Sequence, residues 1–324
     1  MEKSRITGKV ILYILAALLL LLTLLYLGVT VVYFRFFSRA EAKFLVPGLD
    51  APFVQQGFDY VEEQDAYLVS GYMNDHSASR IYVRYDGGDT RYVELKNADG
   101  SDYTGHAGGI CHNGGYAYLA GKGGLEVLTL DDVLDGGYAT IIGRVETGFD
   151  VACCSYYNGH LMAGELYRPG NYETDPSHHR ITPDGTSNPA LITLLRCDDS
   201  AAFGVVSTPV AAISVPAQLQ GFCFTGDDQL VLSSSYGFAS SYLSYHRIDL
   251  DYVGQILLSD TQVPLLYLDS TTLTDSVALP PMSEEIVYRN GQIYVMCESA
   301  SNKYIFGKFI RGHQVFAYRQ EDNH

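Results

Sequence analysis

The sequence predicts an all-β chain: a five-bladed β-propeller behind one N-terminal transmembrane helix, with a sixth, degenerate blade as the alternative. Three observations carry this. An apolar run without a charge lies near the N-terminus, one hairpin pattern recurs five times, and no sustained 3.6-residue period follows residue 45.

The run VILYILAALLLLLTLLYLGVTVVYF, residues 10–34, holds no charged residue. At about 1.5 Å per residue it is long enough to cross a hydrocarbon core of roughly 30 Å. Lys3, Arg5 and Lys9 precede it and favour a cytoplasmic N-terminus at residues 1–9. Arg35, Arg39 and Lys43 follow, so the bias is modest. The expected order is a linker at 35–45 and an extracytoplasmic propeller at 46–324. The chain would then be a single-pass membrane protein, held to the membrane through residues 10–34. A cleaved signal peptide is the other reading, because Ala40-Glu41-Ala42 imitates an A-x-A site. The apolar core exceeds the usual 7–15 residues of such a signal.

The five hairpins are QGFDYVEEQDAYLVSGY (56–72), GGICHNGGYAYLAGK (108–122), VACCSYYNGHLMAGE (151–165), QGFCFTGDDQLVLSS (220–234) and EEIVYRNGQIYVMCE (284–298). Each is an apolar strand, a Gly/Asn/Asp turn and a second apolar strand. Further strand-like runs follow each pair. They are RIYVRYD and TRYVELK, LEVLTLD and YATIIGRVE, ALITLLRC and PVAAISV, SYLSYHRID with a run near VPLLYLD, and KYIFGKFIRGHQVFAYR. Four-stranded units repeated radially make a propeller, and stacking buries faces that no single blade could bury.

That architecture makes a geometric prediction. The start of each first strand and the end of each second strand share one face, near the axis. The column after the second strands reads Gly71, Lys122, Glu165, Ser234, Glu298, and the column before the first strands reads Gln56, Gly108, Val151, Gln220, Glu284. His106 stands two residues before the second column. His106, Glu165, Gln220, Ser234, Glu284, Glu285 and Glu298 should therefore ring one mouth. Tyr236 should overlook it from the loop 235–242, beside the loop 166–189 with its His178-His179 pair.

The composition bounds the chemistry. A formal charge of −16 argues against nucleic acid, which needs a basic face. There is no G-x-S-x-G elbow and no phosphate-binding Gly loop. The six cysteines contain no C-x-x-C pair and read as small buried thiols. A ring of carboxylates with His suits a divalent metal such as Ca²⁺, through Glu165, Glu298 and Gln220, with His106 added for a transition metal. Crowded carboxylates also suit acid–base chemistry. The competing reading is a solvated channel mouth.

The motifs GHAGGI (105–110), LQGFCF (219–224), SSSYGFASS (233–241), PPMSEEI (280–286) and CESASNKY (297–304) resemble an uncharacterised family of bacterial membrane-anchored or secreted propeller-like proteins, over about residues 45–318. That resemblance implies fold and surface location. A looser similarity, to gluconolactonase-like and arylesterase-like propellers, implies a metal at the central mouth. Their Glu, Asn and Asp ligand pattern is not met here, and those propellers usually have six blades. The leading expectation is a membrane-anchored propeller that binds a small molecule, a peptide or a cell-envelope component at the mouth. The alternatives are a metal-dependent hydrolase of lactonase type and a structural interaction module.

Overall fold

The computed structural model describes residues 2–226, 229–248 and 254–320. Five blades, antiparallel at their inner strands, surround an axis. Their innermost strands are Phe53–Val61, Ile110–Asn113, Cys153–Tyr157, Leu219–Phe224 and Ser283–Arg289, and each packs on the next until the fifth meets the first. Between blades lie apolar layers. One joins Leu68, Ile81, Val83, Val93 and Leu95 of blade one to Ala117, Leu119 and Leu128 of blade two. Burying each such aliphatic side chain contributes about 1.5–3 kcal/mol before chain entropy is subtracted.

All five predicted hairpins form. The outer strands differ from expectation at three blades, each for a packing reason. YATIIGRVE is not one strand. Gly137–Thr140 adds in parallel to the edge of blade one, and Gly143–Glu146 closes blade two. Before them, LDDVLD forms the helix Leu130–Asp135, whose Thr129 cap accepts from the Asp132 amide at 3.3 Å.

The run near VPLLYLD does not belong to blade four. Thr261–Tyr267 pairs in parallel with the long strand Val205–Val215, and Gly254–Leu258 joins it, so blade three has six strands. The cluster of Leu191, Ala212, Ile256, Leu258, Val263 and Leu265 holds this extension. Leu273–Leu279 closes blade four instead.

In the fifth blade, only Gln314–Tyr318 of KYIFGKFIRGHQVFAYR is a strand. Ala40–Leu45, expected in the linker, supplies the outer strand by pairing Ala40 with Tyr318 and Leu45 with Gln314. The propeller therefore begins at residue 40 rather than 46. Pairing the two chain ends ties the start of the propeller to its last blade and closes the ring.

One helix, Glu2–Val32, contains a stretch, Gly8–Val32, long and apolar enough to cross a membrane. It stops two residues short of the predicted span. Tyr33 turns into the propeller, and Phe36, 1 % exposed, lies 5.8 Å from Phe316 and 5.5 Å from Tyr318 between ring centroids. All six cysteines are free, five of them buried. Cys153 and Cys154 face different interblade layers, as strand alternation requires.

Candidate functional site

The acids of Glu284-Glu285 owe their positions to a β-bulge. Ser283 pairs with Cys297 and Ile286 with Val295, which leaves both acids opposite Met296 alone. A bulge re-aims side chains. Glu285 crosses the axis and ties three other blades together. Its Oε2 accepts from the amides of Phe58 at 2.8 Å and Ile110 at 2.7 Å, and its Oε1 accepts from the Cys154 amide at 2.9 Å. Two glycines make room. A Cβ on Gly109 would lie 2.3 Å from Glu285 Oε1, and one on Gly221 would lie 2.4 Å from Glu285 Cα. Glu285 is 1 % exposed, so it is a plug across the channel and not the mouth residue expected. Burial pushes its carboxyl up, and the three amides oppose that.

Above the plug lies a polar cluster. Glu284 is 3 % exposed, and its Oε1 has no hydrogen-bond partner among the described residues. Burial first, then the charges of Glu298 and Glu285, push its carboxyl well up. Glu298 opens a short 3₁₀ turn at the end of its strand. Its Oε2 accepts from Gln56 Nε2 at 2.8 Å. Burial raises Glu298 to about 7, with Gln56 and Lys303 pulling against it.

The amide of Gln56 also fixes a tautomer. Its Nε2 is committed as donor to Glu298 and to the Gln55 carbonyl, so its Oε1 accepts from His106 Nε2 at 2.6 Å. His106 stacks on Tyr72 with 4.8 Å between centroids. Part of its ring is exposed, yet the loss of water around the rest, and then Lys303, hold it below its usual pKa. Lys303 Nζ donates to Tyr72 Oη at 2.5 Å and lies 5.0 Å from the Tyr72 ring centre and 5.1 Å from that of Tyr304. Burial disfavours its charge, but the Tyr72 and Tyr304 hydroxyls outweigh that and hold it up. Gln55 Oε1, fully buried, is a second acceptor without a partner among the described residues, its Nε2 being given to the Cys297 carbonyl at 2.7 Å.

Glu284, Glu298 and His106 are thus brought together as expected. Gln56, Tyr72 and Lys303 complete the cluster and were missed as site residues, although Gln56 stood in the same repeat column. Glu165 is not part of it. Leu119, Ala163 and Val295 are equivalent, since each pairs with the residue four before a two-residue turn. Counting on, Glu165 stands level with Cys297, one residue before the level of Glu298. The ungapped repeat alignment slipped by one in blade three, and a one-residue slip turns a side chain to the other face. The Glu165 carboxylate is 2 % exposed, accepting from the Leu191 amide at 2.9 Å and meeting His178 Nδ1 at 2.8 Å. His178, in the loop 166–189, is therefore buried, edge-on to Phe149.

Gln220 and Ser234 are half-buried at the ends of blade-four strands. Tyr236 is bound to the blade-three loop instead of the acids. Its hydroxyl accepts from Asn171 Nδ2 at 2.9 Å, and Arg168 lies 4.2 Å above its ring. The predicted metal set of Glu165, Glu298, Gln220 and His106 is not assembled: Glu165 is turned aside and His106 Nε2 is taken by Gln56. Among the described residues no group of three or more His, Cys, Asp or Glu is placed to hold a metal ion. Beyond the plug, the channel reopens into a cavity of about 200 Å³ whose wall carries Asp59 and His112, 2.6 Å apart.

No protein-family model matches the sequence, and no curated protein is similar to it. The solved structures similar to it have low identity. A glutaminyl cyclase of Myxococcus xanthus is 11 % identical with a TM-score of 0.45, over 86 % of this chain and 95 % of that one. A gluconolactonase of Xanthomonas campestris is 13 % identical with a TM-score of 0.41, over 87 % and 93 %. The hydrazine synthase of Kuenenia stuttgartiensis is 10 % identical with a TM-score of 0.40, over 76 % of this chain but 56 % of that one.

Proposed function

We propose that the chain is a membrane-anchored extracytoplasmic binding propeller whose mouth takes a small ligand through a protonated amine. The observation that carries this is Glu284 Oε1, a buried acceptor without a partner among the described residues, a condition shared by Gln55 Oε1. Leaving such an atom unpaired costs about 1–3 kcal/mol, which a donor from a ligand recovers. Glu298, at about 7, gains its negative charge within the neutral range, while Glu284 offers a buried carboxyl oxygen. Anchoring draws on the apolar helix and on Lys3, Arg5 and Lys9 before it.

Ethanolamine is the probe, with ethylene glycol as the uncharged match. Millimolar ethanolamine should raise the melting temperature of the detergent-solubilised full chain. The effect should grow from pH 6 to pH 8 as Glu298 ionises, and vanish in Glu284→Met, which offers no oxygen. An unchanged melting temperature in the wild type at pH 8 refutes the reading. A hydrolase of lactonase type at the same mouth is the second reading. It is favoured by Glu298 at about 7, where a general acid or base works best at neutral pH. Turnover of a simple aliphatic lactone that disappears in Glu298→Gln decides for it.

A further inference from the structure

The mouth and the apolar helix share one face of the propeller. Tyr33, just past the helix, places its hydroxyl 3.1 Å from Ser240 Oγ in the blade-four loop that leaves the second strand. Pro281, on the approach to the fifth inner strand, and Ile310, in the corresponding blade-five loop, line an apolar recess with Leu24, Leu25, Gly28, Val29 and Val32. All three connections lie at the end of the blades where Glu284 and Glu298 sit. Leu24 is about 12 Å back along the helix from Val32, at 1.5 Å per residue. The blade-five loop therefore reaches well up the apolar segment.

The composition of that loop is unusual for this chain. Residues 298–313, ESASNKYIFGKFIRGH, hold Lys303, Lys308 and Arg311 and one acid, the half-buried Glu298, within a chain of net charge −16. The loop also carries exposed aromatics. Phe306 is 60 % exposed and Phe309 43 %, and Phe306 meets Phe238 of the blade-four loop, itself 65 % exposed, edge-on at 5.7 Å. Arg311 lies 5.5 Å from the ring centre of Tyr26 and 4.1 Å from that of Phe37. Paired aromatic and basic side chains beside an apolar helix are the pattern of a membrane–water interface.

We infer that Phe238, Phe306 and Phe309, with Lys303, Lys308 and Arg311, form a rim that docks on the outer surface of the bilayer that the helix crosses. The interface then lies near Tyr26, not at the end of the helix. Gly8 to Leu25 is left as the hydrocarbon span, about 27 Å, which suits the core of a bilayer. Docked this way, the mouth opens at the level of the lipid headgroups, and its ligand arrives along the membrane. The inference shares the anchored reading with the proposed function but does not depend on what the mouth binds.

The chain has no tryptophan, so one introduced at Phe306 reports alone. Full-length Phe306→Trp is reconstituted in vesicles of phosphatidylcholine and anionic phosphatidylglycerol, with bromine on the acyl chains as quencher. Its emission should be blue-shifted and strongly quenched. Tyr156→Trp, 41 % exposed beside a hairpin turn on the opposite face, should be neither. Lys308→Gln in the Phe306→Trp background should weaken the gain from anionic lipid about fivefold, the worth of one basic residue at a charged surface. Quenching at residue 306 no greater than at 156, in a chain that alkaline carbonate leaves in the membrane, overturns the docked rim and leaves the anchor standing. Release by carbonate overturns both. Neither outcome touches the ethanolamine effect measured in detergent.

Discussion

Replacing Glu285 by Ala removes the one side chain that three blades share. The amides of Phe58, Ile110 and Cys154 lose their acceptor at once. Each buried N–H without a partner costs about 1–3 kcal/mol, and water entering the vacated axis recovers part of the sum. A net loss of about 4 kcal/mol follows. For a domain of this size that corresponds to a fall in melting temperature of about 7 °C. Near-UV circular dichroism of the tyrosines follows the transition in the full chain. Glu285→Gln keeps the volume but aims an amide NH₂ at the Cys154 N–H if its oxygen keeps the other two donors. It should fall between Ala and wild type. A loss below about 1 kcal/mol for Ala, within the range of an ordinary surface substitution, would refute the claim that the axial carboxylate holds the blades together.

Two further outcomes test the site and the ring. The Glu298 carboxyl moves from 4.5 to about 7 on folding, so the native state holds that proton more tightly than the unfolded chain. Its contribution is best below about pH 4.5 and is lost as pH rises through 7. Between pH 5 and pH 8 the wild type should therefore lose about 2.5 kcal/mol relative to Glu298→Gln in urea unfolding, and equal slopes would show that the carboxyl is not raised. A chain begun at residue 46 lacks the strand paired with Gln314–Tyr318 and bares the apolar edge that holds Phe316 and Tyr318. It should associate on gel filtration, while a chain begun at residue 33 elutes as a monomer. A folded monomer from residue 46 would show that the outer strand of blade five is dispensable.

What the sequence displayed was local. Asn290-Gly291 and Asn158-Gly159 between alternating apolar runs announced their hairpins, because turn chemistry and period are written within a dozen residues. Outer strands are different. LTDSVAL and AEAKFL face water on much of their surface, so little apolar alternation marks them, and their partners are chosen by the ring. The mouth was half visible. Repeat columns brought Glu284, Glu298 and His106 to one face, yet the same columns misplaced Glu165, because blade three carries its turn one residue later. No column could show that Glu285 would be buried across the axis. That depends on a bulge in one strand and on glycines in two others. Lys303 lay in a loop outside any repeat, although its basic, aromatic surroundings were already readable.

The pairing of Ala40 with Tyr318 also sets an order of assembly. The first strand of the propeller leaves the ribosome early and can find no lasting partner until nearly the whole chain has followed. Four blades can gather as local hairpins, but the ring stays open, with the edge of Gln314–Tyr318 bare, until the two ends meet. Contacts so distant in sequence form slowly. In an anchored chain the waiting strand is tethered close to the bilayer, so the C-terminal blade must come to the membrane to finish the fold. Closure and arrival at the lipid surface become one event, and the mouth cluster, which draws on blades one and five, exists only after it.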